Sequence, residues 1–162
     1  MKKLVVIIIT LLTLSATAIA QPRAVGARFA AGGWMGSEFS YQHNLNDAET
    51  QFLEVDLGLE RYDGFRLTGT WNWDIWHPVI TASGDWILYL GAGTTVGFID
   101  YDGEEHFGYM IGAVAQVGLE YRFESVPLSF SADIRPALAG CHGLYKYGTY
   151  GLLPNIGIRY YF

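Results

Sequence analysis

Charged residues in this chain recur within stretches that otherwise alternate between apolar and polar side chains. Parity along those stretches puts Arg28, Glu38, Glu54, Asp56, Glu60, Arg66, Asp74, Glu120, Arg122, Asp133, Arg135 and Arg159 on one shared face. By the same count Arg23 and Arg61 fall outside the strand faces. Lysine is nearly missing: beyond residue 20 the only one is Lys146, in a predicted loop. A planar guanidinium pairs with carboxylates through parallel donors and needs little water, whereas an ammonium is a strongly hydrated point charge. The pattern predicts a confined polar space laced by arginine–carboxylate pairs. Because buried charge is costly unless paired, such a network is expected to set register more than to add stability.

Other chemistry is less well supported. A serine activated at a membrane surface needs a base beside it. The histidines stand as His43-Asn44-Leu45, His77-Pro78-Val79, His106-Phe107-Gly108 and His142-Gly143-Leu144, and none has the His-x-Ser spacing of the lipid A deacylase type. Gly91 to Gly97 is glycine-rich, but it lies inside a predicted strand with no helix after it, which rules out a nucleotide cradle. The acidic run Asp100 to Glu105 lacks the spacing of a calcium loop and suits a solvated hairpin connection. Cys141 and His142 are adjacent, and two neighbouring ligand types do not make a metal site. No catalytic, cofactor or metal residue is therefore assigned.

The elements that carry the charged face are strands. Alternation predicts eight: Ala24 to Ala31, Ser37 to Leu45, Gln51 to Arg61, Phe65 to Trp76, Trp86 to Ile99, Phe107 to Phe123, Leu128 to Arg135, and a last one within Tyr150 to Phe162. In the third, Leu53, Val55, Leu57 and Leu59 oppose Glu54, Asp56, Gly58 and Glu60. Tyr62-Asp63-Gly64 marks a tight hairpin. The connection His77 to Asp85 reads as irregular, and Pro136 to Thr149 as the longest late loop. Outward aromatics gather near strand ends. Trp73, Trp86, Tyr121, Phe123, Tyr160 and Phe162 are placed at one rim, and Phe29, Phe39, Phe65, Phe98 and Phe107 at the other.

The first twenty residues read as a leader. Lys2 and Lys3 precede the apolar run Leu4 to Leu14, and Ala18-Ile19-Ala20 offers a small-x-small cleavage site, with Ala18 and Ala20 as its small residues. Gln21 to Phe162 then forms one domain, and loss of the two lysines takes the net charge from −6 to −8. An acidic exported chain is a poor nucleic-acid binder. The single cysteine excludes an internal disulfide. Aromatic residues make up 15% of the chain, glycines number 20, and beyond the leader no apolar run is long enough for a spanning helix. Abundant aromatics with alternating segments of about 10 residues are the signature of transmembrane β-strands. The expected fold is all-β, an eight-stranded antiparallel up-and-down transmembrane barrel with a side-chain-filled interior.

With these features the chain resembles the small eight-stranded outer-membrane barrels of the OmpA/OmpX type, the porin-family outer-membrane β-barrel proteins. The ending Asn155-Ile156-Gly157-Ile158-Arg159-Tyr160-Tyr161-Phe162 resembles that family's C-terminal assembly signal, with Asn155, Gly157, Tyr160 and Phe162 at the matching positions. Gly118 to Phe123 and Asp133 to Pro136 also resemble runs typical of small members. The resemblance implies a monomer in the bacterial outer membrane, in contact with its lipid and assembled by the barrel-assembly machinery through the last strand. It implies a structural or surface-interaction role carried by extracellular loops, without catalysis and without a cofactor. It names no extracellular partner. A narrow channel or carrier for small or apolar solutes is the alternative, and a lipid-modifying outer-membrane enzyme the third. Pro154 departs from the pattern, since a closed sheet has no free edge for a residue lacking N–H. A bulge there, or a last strand projecting above its neighbour, is expected.

Overall fold

The computed structural model describes residues 22–30, 37–60, 64–99, 108–142, 148–150, 152 and 154–162. The expected leader, with Ala18 and Ala20, lies outside them. So do Arg61, Lys146 and the acidic run 100–105. Ten strands form: β1 Pro22–Ala30, β2 Ser37–Asn44, β3 Gln51–Glu60, β4 Gly64–Trp76, β5 Gly84–Ile99, β6 Gly108–Phe123, β7 Leu128–Ile134, β8 Ala137–His142, β9 Gly148–Tyr150 and β10 Pro154–Tyr161.

Each strand pairs antiparallel with its sequence neighbour from β1 to β7, and β10 joins β7 to β1, closing the sheet. β8 continues the line of β7 along β6, and β9 returns beside β8. The molecule is therefore a closed eight-stranded antiparallel barrel, with its seventh stave made of β7 and β8 and its eighth of β9 and β10.

This corrects the loop predicted for Pro136 to Thr149, which contains β8 and β9. Pro136 has no N–H to give the ladder, yet its carbonyl accepts a hydrogen bond from the Ala115 N–H at 2.9 Å. The chain thus stays against β6 and pairing resumes at Ala137. The small residues Ala137, Ala139 and Gly140 hid the strand, because they give no apolar alternation to read.

Pro154 takes the first position of β10, exposed and paired with Ile134. Because Tyr150 pairs with Ala137, the eighth stave spends one more residue than the seventh between these two pairs. The first residue of a strand is a position that tolerates proline. Closure then rests on Ala24 to Ala30 against Asn155 to Tyr161, plus a hydrogen bond from the Phe162 N–H to the Arg23 carbonyl at 3.0 Å.

Two register shifts interrupt the alternation, one between Pro22 and Ala24 and one between Asp74 and Trp76. Both lie at the end of the barrel that holds the turns 45–50, 77–83 and 124–127 and the start of β1, called the near end below. A bulge places two successive residues on one side of the sheet. Arg23 and Ala24 both point inward, and Ile75 and Trp76 both lie exposed.

Candidate functional site

The distinctive chemistry lies inside the barrel. Along β2, buried Glu38, Ser40, Gln42 and Asn44 alternate with Phe39, Tyr41 and Leu45, which are exposed. The same inversion holds around the sheet: the buried set is mostly polar or charged, while leucines, phenylalanines and tryptophans fill the exposed set. Among the strand side chains that are described, the only exposed charged residue is Asp85, beside the near-end connection. A closed sheet has two faces and one enclosed volume, so alternation sends every polar face into that volume together.

Among the described residues the ion pairs fall into two groups that share no residue. The central group joins Arg28, Arg66, Arg135 and Arg159 to Glu38, Glu54, Asp56 and Asp133. Arg28 reaches Glu38 at 2.6 Å from one guanidinium nitrogen and Asp133 from another. Arg66 donates to the second oxygen of Glu38 at 2.6 Å. Glu54 is the hub: its carboxylate accepts from Arg159 at 2.8 Å, from Arg135 at 3.0 Å and from the Gln42 amide at 3.0 Å. Arg159 also donates to Ser40 and Ser131, so this one side chain of β10 ties β2, β3 and β7 together.

The near-end group is smaller. Arg23 lies 3.3 Å from Asp74 and 3.2 Å from Glu120, and Arg122 donates to Glu120 at 3.0 Å. The Arg23 guanidinium also sits 3.7 Å over the Phe52 ring, which packs edge-on against Tyr89 with centroids 5.5 Å apart. Phe52 and Tyr89 are wholly buried. Gly118 makes room for Tyr89, because a Cβ at residue 118 would overlap the phenol ring. Among the described side chains each group holds as many arginines as carboxylates.

The structure thus brings together eleven of the twelve residues assigned to the interior charge network, Glu60 being the twelfth, whose side chain lies outside the described set. It adds Arg23, which parity had left outside the strand faces. The bulge after Pro22 turns Arg23 inward, and a one-residue register shift cannot be counted from alternation alone. Phe52 was also missed, as an apolar residue on the polar face of β3; a strict apolar–polar split has no place for it. Of the terminal set, Asn155 is buried and donates to Asp133, Gly157 faces inward beside Ser131, and Tyr160 and Phe162 are exposed with ring centroids 5.3 Å apart.

Rings chain along the near-end rim from Trp86 to Tyr121, Phe123 and Phe130, with centroid spacings of 4.8, 4.7 and 5.7 Å. At the opposite end Phe65 and Phe98 pack at 5.2 Å. His43 bonds the Tyr41 hydroxyl on the outer face rather than a buried serine. The side chains of Cys141 and His142 lie outside the described residues. Among the described residues no cluster of histidine, cysteine and acidic side chains has the arrangement of a metal site. Comparison with known protein families, with curated proteins and with solved structures finds no match.

Proposed function

We propose that this chain is an integral outer-membrane β-barrel protein whose interior is a packed polar plug, and whose role is structural or exercised at the cell surface by its far-end connections. The inside-out polarity of the sheet carries this reading. An outer surface of exposed Leu57, Leu67, Trp71, Leu90, Ile111, Phe130 and Ile158 is disfavoured in water, where contiguous apolar patches of this kind are sites of contact. In hydrocarbon it is the favoured surface, and a closed sheet leaves no backbone group unpaired there. The leader-like first twenty residues and the resemblance of the last strand to an assembly signal favour the outer membrane and the barrel-assembly machinery. Buried arginine–carboxylate pairs spanning the interior favour a filled barrel over a channel.

Outer-membrane fractionation with detergent gels tests the membrane reading. The protein should sediment with outer membranes and change mobility on heating; a soluble periplasmic pool with no mobility change rejects it. Planar-bilayer recording tests the plug, and reproducible single-channel steps would reject that. Lipid A profiles from cells with and without the protein should be the same, and a changed acylation pattern would reject the non-enzymatic role.

A further inference from the structure

Three connections leave the near end of the barrel, and they differ in chemistry. The turn 45–50 exposes Asp47 and Glu49, and the turn 124–127 exposes Glu124. The connection between β4 and β5 is different. From Ile75 to Gly84 it carries no acidic residue, exposed Asp85 following at the start of β5, and it exposes Trp76 at 61%, Val79 at 97% and Ile80 at 58%. The β4 bulge sets Ile75 and Trp76 together on the exposed side, so the apolar lane of Trp71 and Trp73 runs without interruption into this connection.

Its later residues are fastened to rings of the outer rim. The Trp86 indole N–H donates to the Thr81 hydroxyl at 3.0 Å, and the Ser83 hydroxyl lies 3.2 Å from that of Tyr121. Trp86 and Tyr121 belong to the outward rim chain. The segment is thus held against the outside of the barrel and not over its mouth. Held there, Val79 and Ile80 continue the same surface that the membrane reading assigns to lipid.

We infer that the β4–β5 connection is an interfacial membrane anchor: Trp76, Val79 and Ile80 enter the headgroup–acyl boundary on one side of the barrel and fix its depth there. The inference rests on the membrane reading. Indole rings favour this layer, and apolar side chains bury a shallow face in it. Its apolar part, Trp76 to Ile80, carries no acidic residue, whereas Asp47 and Glu49, or Glu124, stand within the other two turns; the nearest acid here is the exposed Asp85 at the start of β5. The barrel is accordingly asymmetric, with one greasy foot and two acidic turns at the same end.

Single cysteines in a Cys141→Ser background test this, as Val79→Cys, Ser125→Cys and Leu57→Cys, each labelled with bimane in the full barrel. The proteins are placed in phosphatidylcholine bilayers carrying bromines either near the headgroup or deep in the chains. The label at 57 should be quenched by deep bromines, the label at 79 severalfold more by shallow bromines than the label at 125, and the label at 125 by aqueous iodide. Quenching at 57 with an iodide-accessible, bromine-insensitive label at 79 overturns the anchor and leaves the membrane reading standing. Shielding at 79 from both quenchers also overturns it, since that marks a protein contact. Bromine-insensitive labels at both 57 and 79 overturn the two together.

Discussion

The two buried charge groups are built from the same residue types and hold the barrel in different ways. In the central group, Glu54 alone answers Arg135, Arg159 and Gln42, and Arg28 spans from Glu38 to Asp133. Arg28 and Arg135 each meet more than one carboxylate, while Arg159 meets Glu54 and Asp133 meets Arg28. The near-end group hangs on Arg23, which links β1 to β4 and β6 and relies on a bulge to face inward. The contrast teaches that a closed sheet gathers buried charge at its waist on a shared carboxylate reached from several staves, while at its rim one long side chain makes the link.

The largest effect should come from the hub. Glu54→Leu leaves Arg135 and Arg159 without their shared carboxylate, and breaking a buried pair on one side costs about 3–5 kcal/mol. Urea unfolding of the folded barrel, followed by gel mobility, measures it. Arg23→Met should cost less, about 1.5–3 kcal/mol by the loss of hydrogen bonds to charged groups, because the one carboxylate it strands, Asp74, is only partly buried while Glu120 keeps Arg122. A cost equal to that of Glu54→Leu would break the contrast between the two groups. Gly118→Val drives a side chain into the Tyr89 ring that lies over this backbone, and overpacking of this kind costs about 1–3 kcal/mol. The Tyr89 hydroxyl is buried without a hydrogen-bond partner among the described residues. Tyr89→Phe should therefore change stability by less than about 1 kcal/mol, or raise it, since it removes an uncompensated polar atom. A loss beyond that would show that the phenol oxygen binds the network.

Much of this was legible before any coordinates. Leu53, Val55, Leu57 and Leu59 against Glu54, Asp56 and Gly58 could only be a strand with opposed faces, and the preference for arginine over lysine pointed to pairing in a confined space. The same counting failed at Arg23, where a bulge reverses a face, and from Ala137 to His142, where small side chains carry no pattern. Partner choice was illegible throughout. Arg159 and Glu54 are 105 residues apart, and only closure of the sheet brings them to 2.8 Å.

The chain's alternation by itself determined that the sheet would have one apolar and one charged face, because side chains on successive residues of a strand must point oppositely. What it left open was which carboxylate each arginine meets, where the ladder slips, and that Thr81 would be tied to Trp86 on the outer rim. Those depend on register and closure, which are set by contacts between residues far apart in the chain, and a local pattern carries no information about them.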